Sequence, residues 1–174
     1  MIHTRNVTAY DTSFLYQAYK EAREKELSQM GWDAEEQEGL LRVQFDMQRR
    51  SYALQHLAAD HNIILLDTVR IGQIMTKITD RSIWIIDVSL LAEYQNKGIG
   101  TRLIHDIQAR AEETGKAVRL HVLHNNPAQC LYERLGFYRV GEKFPYVAME
   151  WLHNQTTRAS RKEEEVPLMF GDMK

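Results

Sequence analysis

Hydrophobic residues in the first part of the chain recur at helical spacing. After a short strand over Ile2 to Val7, we expect a helix that begins at Asp11 or Thr12 and ends near Gly31. Its apolar positions fall on one face of the helix: Phe14, Leu15, Ala18, Tyr19 and Ala22. This face predicts that the helix packs against a sheet or a second helix.

A second helix is predicted directly after the first. Asp33 and Glu36 have the spacing of a capping box, in which the side chain of each residue accepts a hydrogen bond from the backbone N–H of the other. The helical pattern then continues to about Ala59. The side expected to be buried carries Leu41, Phe45 and Tyr52.

From residue 63 onward the pattern changes to short apolar runs that are separated by turn residues. Runs over 63–66, 70–78 and 83–90 predict an antiparallel meander of three strands. An amphipathic helix is expected from Gly98 to Thr114, followed by a strand over 118–123. Asn126 before Pro127 marks the start of another helix, which ends at Gly136. Two closing strands over 137–142 and 146–152 complete the order βααβββαβαββ.

Composition and charge narrow the class of protein. The 174 residues are 44% hydrophobic and 26% charged, which is typical of a globular domain, and we assign residues 1–152 to one domain. Residues 153–174 include an almost entirely charged run over 158–165, which predicts a solvated tail. The net charge of −2 argues against a nucleic-acid partner, and no apolar run approaches a membrane span. A cytoplasmic location is the expectation, since a single cysteine, Cys130, suits a reducing compartment.

The strongest chemical signal is a pair of glycines at a predicted strand-to-helix turn, in the segment Gln95-Asn96-Lys97-Gly98-Ile99-Gly100-Thr101. Glycine lets a ligand approach the backbone closely, and the first N–H groups of a helix attract anions. A nucleotide-binding P-loop fits poorly, because that motif needs lysine after the second glycine and Gly100 is followed by Thr101. A dinucleotide motif is disfavoured because position 103 is leucine. The segment therefore favours a pyrophosphate site, although a plain tight turn is the alternative.

A second motif lies downstream, over Asn125-Asn126-Pro127-Ala128-Gln129-Cys130-Leu131-Tyr132-Glu133-Arg134-Leu135-Gly136-Phe137. Its tyrosine can donate a proton to a ligand held by the glycine turn, or it can be a core residue. Together the two motifs resemble those of the GNAT superfamily of acyl-CoA N-acyltransferases. The resemblance implies an α/β (α+β) fold: a mixed, mostly antiparallel seven-stranded sheet that is flanked by four helices and has splayed central strands.

The resemblance also implies roles for individual residues. Acetyl-CoA would be the co-substrate, and no metal is implied. Its pyrophosphate would lie against the glycine turn, which comprises Gln95, Asn96, Lys97, Gly98, Ile99, Gly100 and Thr101. Gln95 stands where arginine is commoner in the family. Val88 and Leu90 would offer backbone groups to the pantetheine arm, Asn125 would contact the coenzyme, and Tyr132 would be the general acid.

The expected reaction is direct transfer of the acetyl group to a primary amine. An alkylammonium with a pKa of ~10.4 must first lose a proton, and Asp87 on the third meander strand is the candidate catalytic carboxylate, although it can instead form a structural hydrogen bond. Glu24, Trp32 and Asp33 would attract a cationic, small-molecule acceptor. The alternatives are a protein or peptide acetyltransferase and a non-catalytic acyl-CoA sensor. No membrane partner is expected, whereas a homodimer is possible. Cys130 is predicted to be a packing residue.

Overall fold

The computed structural model describes residues 1–153, without the side chains of Lys25, Glu26 and Met30. The predicted tail lies outside this part from residue 154 on. Within it the elements follow the predicted order: β1 (Ile2–Asn6), α1 (Thr12–Leu27), α2 (Ala34–Gln55), β2 (Asp60–Leu66), β3 (Val69–Ile78), β4 (Ser82–Leu90), α3 (Ile99–Thr114), β5 (Ala117–Leu123), α4 (Ala128–Arg134), β6 (Tyr138–Lys143) and β7 (Tyr146–Trp151).

The boundary between α2 and β2 differs from the prediction. The helix ends at Gln55, four residues before Ala59, and the strand begins at Asp60, three residues before the apolar run. The polar segment 60–62 is extended because its residues pair with β3, and Asn62 also pairs with β1. At the other end of α2 the capping box is confirmed: Asp33 accepts from the Glu36 N–H at 2.9 Å, and Glu36 accepts from the Asp33 N–H at 3.1 Å.

The seven strands form one mixed sheet in the order β1-β2-β3-β4-β5-β7-β6. The pair β4–β5 is parallel, and every other neighbouring pair is antiparallel. α1 and α2 pack on one face, where Phe14, Phe45 and Ile63 share a core cluster. α3 covers the other face through Ile104 and Leu103, and α4 joins it there. The predicted fold is thus confirmed, and no helix within residues 1–153 is both long and apolar enough to cross a membrane.

The central strands β4 and β5 diverge half-way along their length. They pair at four positions, from Ser82 with Ala117 to Ile85 with Leu120, and then diverge. A register shift against β3 at the same height leaves Ile86 as an extra residue, since Thr76 pairs with Ile85 and Met75 with Asp87. Such a bulge bends its strand and increases the local twist. The splay predicted for the central strands is therefore present, and it opens beyond Ile86.

Candidate functional site

A cavity of about 500 Å³ lies where β4 and β5 diverge. Three segments of the chain form its wall: the end of β4, the glycine turn with the start of α3, and α4 with the residues before it. The lining residues are Val88, Ser89, Leu90, Gln95, Asn96, Gly98, Gly100, Thr101, Asn126, Pro127, Ala128, Leu131, Tyr132 and Arg134. The fold thus brings both sequence motifs to one opening in the sheet.

The N-terminus of α3 opens into this cavity without a capping side chain. Gly98 is the N-cap residue, with a left-handed φ of 76°, and as a glycine it has no side chain that could accept from the helix start. The first intrahelical bond runs from the Arg102 N–H to the Gly98 carbonyl at 3.0 Å. The three N–H groups before Arg102 have no intrahelical acceptor, and the helix dipole adds partial positive charge there. This end of α3 is therefore suited to an anion.

The backbone around the glycine turn leaves room for a ligand. A Cβ atom added to Gly100 would meet no described atom closer than the Leu131 Cδ2, at 3.7 Å, which is an ordinary van der Waals contact. The protein's own packing therefore does not require glycine at position 100. Gly98 and Asn96 both have positive φ values, 76° and 58°, and make the turn that points the helix start at the cavity.

Two residues of β4 direct backbone groups toward the gap between the strands. The Leu91 N–H donates to the Ile71 carbonyl on the β3 side at 2.9 Å. Because backbone groups alternate along a strand, those of Leu90 and Val88 point away from β3, toward the position that β5 has vacated. The Gln95 Nε2 donates to the Leu90 carbonyl at 2.8 Å and so ties the glycine turn to the strand end.

β3 and β4 approach each other closely beside this gap, at a position where β3 carries Gly72. A Cβ there would lie 2.2 Å from the Ser89 carbonyl oxygen and 3.1 Å from the Leu90 Cα. Both are backbone atoms, so the strands would have to move apart to admit a side chain. Gly72 is therefore required for the observed position of the end of β4.

Tyr132 on α4 lines the cavity and is 2% exposed. Its ring packs edge-on against Phe137, with centroids 5.5 Å apart. Burial, together with the negative charge of Asp87, raises the pKa of the Tyr132 phenol well above its usual value. The phenol therefore keeps its proton at neutral and moderately alkaline pH.

Asp87 is 4% exposed and lies on the face of the sheet that carries α2. Its Oδ2 accepts from the Gln73 Nε2 on β3 at 3.1 Å. The bulge at Ile86 places this carboxylate just beyond the last paired position of β4 and β5. Its effect on the Tyr132 pKa shows that the two side chains interact electrostatically across the diverging strands.

Asn125 and Asn126 differ in position. Asn125, the predicted coenzyme contact, is exposed and does not line the cavity, so its role stays a prediction. Asn126 lines the cavity and is 7% exposed. Its Oδ1 accepts from the Ala128 N–H at 2.9 Å, whereas its Nδ2 has no hydrogen-bond partner within residues 1–153.

Several residues predicted from sequence lie away from the cavity wall. The Lys97 ammonium lies over the Tyr94 ring, 5.6 Å from its centroid, and the Ile99 side chain packs in the core under α3. The three predicted acceptor contacts are exposed and do not line the cavity: Glu24, Trp32 and Asp33. Cys130 is exposed, so its prediction as a packing residue is wrong. It lies on the outward side of the short helix α4, whose inward side carries Gln129 and Tyr132.

Sequence reasoning missed some residues of the site, because no motif marks them. Ser89, Leu131 and Arg134 line the cavity because they flank recognised positions on a strand and a helix. Gln73 reaches the site through the sheet register, 14 residues before the carboxylate that it contacts.

Comparison with known proteins agrees with this arrangement. Residues 14–137 match the sequence model of the acetyltransferase (GNAT) family, which covers both motifs and most of the sheet. The chain belongs to this family. No curated protein matches the chain significantly.

Solved structures with the GNAT fold resemble the chain over most of its length. PaiA N-acetyltransferase from Thermoplasma acidophilum, in complex with coenzyme A, is 21% identical with a TM-score of 0.64, covering 88% of this chain and 99% of its own. A GNAT family acetyltransferase from Elizabethkingia anophelis with acetyl-CoA bound is 14% identical, with a TM-score of 0.57 and coverages of 87% and 98%. A chimera of the spermidine N-acetyltransferase SpeG from Vibrio cholerae and hSSAT is 22% identical, with a TM-score of 0.58 and coverages of 87% and 94%. At these identities the likeness is one of fold.

Proposed function

We propose that the protein transfers the acetyl group of acetyl-CoA to a primary amine on a small molecule, by direct attack within a ternary complex. The observation that carries this proposal is the uncapped N-terminus of α3, which opens into a cavity between two diverging strands. Such a helix start provides N–H donors for a pyrophosphate, and the gap in the sheet provides donors and acceptors for an amide-containing arm.

The coenzyme would bind along the cavity wall. Its pyrophosphate would accept hydrogen bonds from the first N–H groups of α3, with Gln95 and Thr101 beside it. The pantetheine amides would bond to the backbone of Val88 and Leu90, which points into the gap. We assign a further contact to the Nδ2 of Asn126, since this buried donor lines the cavity and lacks a partner within residues 1–153.

The reaction removes two protons from the ammonium nitrogen and adds one to the leaving sulfur, and we assign one protein group to each end. The protonated amine gives a proton to Asp87, and its lone pair then attacks the thioester carbonyl carbon to form the C–N bond. The backbone N–H of Val88 stabilises the resulting oxyanion. When the C–S bond breaks, Tyr132 donates its proton to the leaving thiolate. Its raised pKa keeps that proton available before the step. The nitrogen of the new amide loses its second proton, which restores the Tyr132 phenol through water, and Asp87 releases the first proton to solvent.

The acceptor follows from the charge of the site. Asp87 is a buried carboxylate that is not among the lining residues but directly precedes Val88 of the cavity wall, and a carboxylate favours an ammonium over a neutral or anionic group. Two of the proteins with similar structures are named N-acetyltransferases, one of them for spermidine. The exposed trio Glu24, Trp32 and Asp33 is proposed as an outer contact for the same cation. For its location we propose the cytoplasm, where a single exposed thiol stays reduced.

The test is acetyl-CoA-dependent release of free thiol in the presence of a panel of amines: polyamines, aminoglycosides, amino acids and lysine peptides. Cys130 is exposed and would react with a thiol reagent, so the assay uses a Cys130→Ser background. Turnover with small cationic amines supports the proposal. Best turnover with lysine peptides would instead indicate a protein acetyltransferase, and tight binding of acetyl-CoA without turnover would indicate a sensor.

A further inference from the structure

A chain of polar side chains crosses three strands and ends at Asp87. The His61 Nε2 on β2 lies 2.7 Å from the Gln73 Oε1 on β3, and the Gln73 Nε2 lies 3.1 Å from the Asp87 Oδ2 on β4. The register places all three on one face of the sheet, because His61 and Asp87 both pair with Met75, two residues from Gln73. The contacts are thus built into the strand alignment.

The direction of each hydrogen bond follows from the chemistry of its partners. An ionised carboxylate only accepts hydrogen bonds, so Gln73 must present its NH₂ group to Asp87. Its carbonyl oxygen then faces His61, which must donate from Nε2. Burial is the main cause that lowers the pKa of His61, so the ring is neutral at pH 7 and carries its one proton on Nε2. His61 therefore determines which end of the Gln73 amide faces Asp87.

Other titratable groups near the His61–Gln73–Asp87 hydrogen bonds come from several elements. Tyr132 on α4 interacts with Asp87, and Arg49 on α2 and Asp11 before α1 act electrostatically on His61. His121 on β5 lies on the same face, with its ring 5.4 Å from that of Trp84. Tyr52 on α2 packs against Met75 beside the chain. Of these titratable groups, Tyr132 interacts with Asp87 itself, whereas Gln73 is an uncharged amide that contacts the carboxylate directly.

We propose that Gln73, held in orientation by His61, is a positioning residue that fixes the Asp87 carboxylate for acceptance of the amine's proton. This inference rests on the proposed function, in which Asp87 is the group that receives that proton. The amide N–H stabilises the ionised form of the carboxylate and fixes its plane. Without it, Asp87 takes up a proton at higher pH and is less often in the form that the amine requires.

The experiment compares four variants with the wild-type protein. Gln73→Leu removes the donor at similar volume, His61→Phe removes the group that orients the amide, and His61→Gln restores a side-chain N–H. Gln17→Leu makes the same chemical change at an exposed position on α1 and serves as the matched control. Each variant is first checked for its Kd for acetyl-CoA, which the proposal expects to be unchanged. The Tm of Gln73→Leu should fall at pH 7, because a higher Asp87 pKa in the folded protein lowers the free energy of unfolding, whereas the Tm of Gln17→Leu should stay at the wild-type value.

The primary readout is the titration of the Asp87 carboxyl by ¹³C NMR, assigned with Asp87→Asn, because this measurement needs no turnover. Loss of one hydrogen bond to a charged group corresponds to a shift of about one to two pH units. We expect the midpoint to rise by that amount in Gln73→Leu, to rise less in His61→Phe, and to stay near the wild-type value in His61→Gln and Gln17→Leu. The acidic limb of the kcat/KM profile should move with it.

A merely structural role for Gln73 would lower kcat/KM at every pH and leave both midpoints unchanged, and that result would overturn the inference. Failure of the proposed function looks different. In that case the wild-type protein would release no thiol with any amine, while the NMR midpoints would still report whether Gln73 stabilises the Asp87 carboxylate.

Discussion

Replacing Gly100 by valine separates coenzyme binding from folding. The added Cβ meets the Leu131 Cδ2 at 3.7 Å and no other described atom within 4 Å, so the core does not have to move. Valine also has a slightly better helix propensity than glycine. The free energy of unfolding should therefore change by no more than about 0.5 kcal/mol. On the cavity side, the branched side chain occupies the space in which a phosphate would approach the helix N–H groups.

The expected loss of affinity can be worked from those N–H groups. A hydrogen bond to a charged group contributes about 1.5–3 kcal/mol. If the valine methyl groups prevent one such bond and displace the phosphate from the others, the loss is about 2–3 kcal/mol. This corresponds to a Kd for coenzyme A that is roughly 30- to 150-fold higher, since each 1.4 kcal/mol is tenfold.

The assay is isothermal titration of coenzyme A, together with the Tm of each variant. Gly39→Val is the matched control, because Gly39 is a helical glycine in α2 whose added Cβ would meet no described atom within 4 Å and which lies away from the cavity wall. We expect this control to bind like the wild-type protein. A Gly100→Val protein with a normal Tm and a Kd within twofold of wild type would refute the placement of the pyrophosphate at α3.

Three further variants test other parts of the structure. Tyr132→Phe should lower kcat by about 10²–10⁴-fold with little change in the Kd for acetyl-CoA, because it removes the proton donor and keeps the ring; turnover at the wild-type rate, with chemistry rate-limiting, would contradict this role. Gly72→Ala should lower the free energy of unfolding by about 1–3 kcal/mol, measured by urea denaturation, because β3 and β4 must separate. Asp11→Asn should cost about 2–4 kcal/mol at pH 7, since this carboxylate is 1% exposed and binds Arg5 through two bonds of 2.8 Å. The Arg5 guanidinium holds the pKa of Asp11 well below its usual range, so the contribution is complete above about pH 4 and declines as the pH falls below it. The difference in stability between Asp11→Asn and wild type should therefore shrink in acid, whereas a constant difference from pH 7 to pH 2.5 would exclude an electrostatic cause.

The pattern of apolar runs, caps and turn residues predicts the type and order of the α-helices and strands within residues 1–153. The inner strands and the helices each bury a regular face, whereas the edge strands β1 and β6 are mostly exposed. The ends of elements are predicted less well. The polar residues 60–62 give no apolar signal, yet they belong to β2 because their backbone pairs with neighbouring strands. Asp33, by contrast, marks the start of α2 correctly, since a capping box acts through residues that are adjacent in sequence.

Residues of the candidate site that belong to a continuous motif can likewise be predicted from sequence, whereas those brought in by strand pairing cannot. The glycine turn and Tyr132 can be recognised because each motif is continuous in sequence. Gln73 cannot, because its contact with Asp87 depends on the register of two strands and on the bulge at Ile86. The distinction between Asn125 and Asn126 likewise depends on how the chain turns into α4, which places the second of the two on the cavity wall.

The short ladder between β4 and β5 also has a mechanical consequence. The sheet has two parts, with β1 to β4 on one side and β5, β7 and β6 on the other. The two parts are joined by only four residue pairs between β4 and β5, which we call the seam. Fewer residues pair across this seam than between any other two neighbouring strands, so we expect the two parts of the sheet to open more easily there than elsewhere. A molecule that bonds to both β4 and β5 in the gap would restrict the separation of the two parts of the sheet. Amide hydrogen exchange along 86–90 and 121–123 should therefore slow when acetyl-CoA is added, with smaller changes in the outer strands β1 and β6.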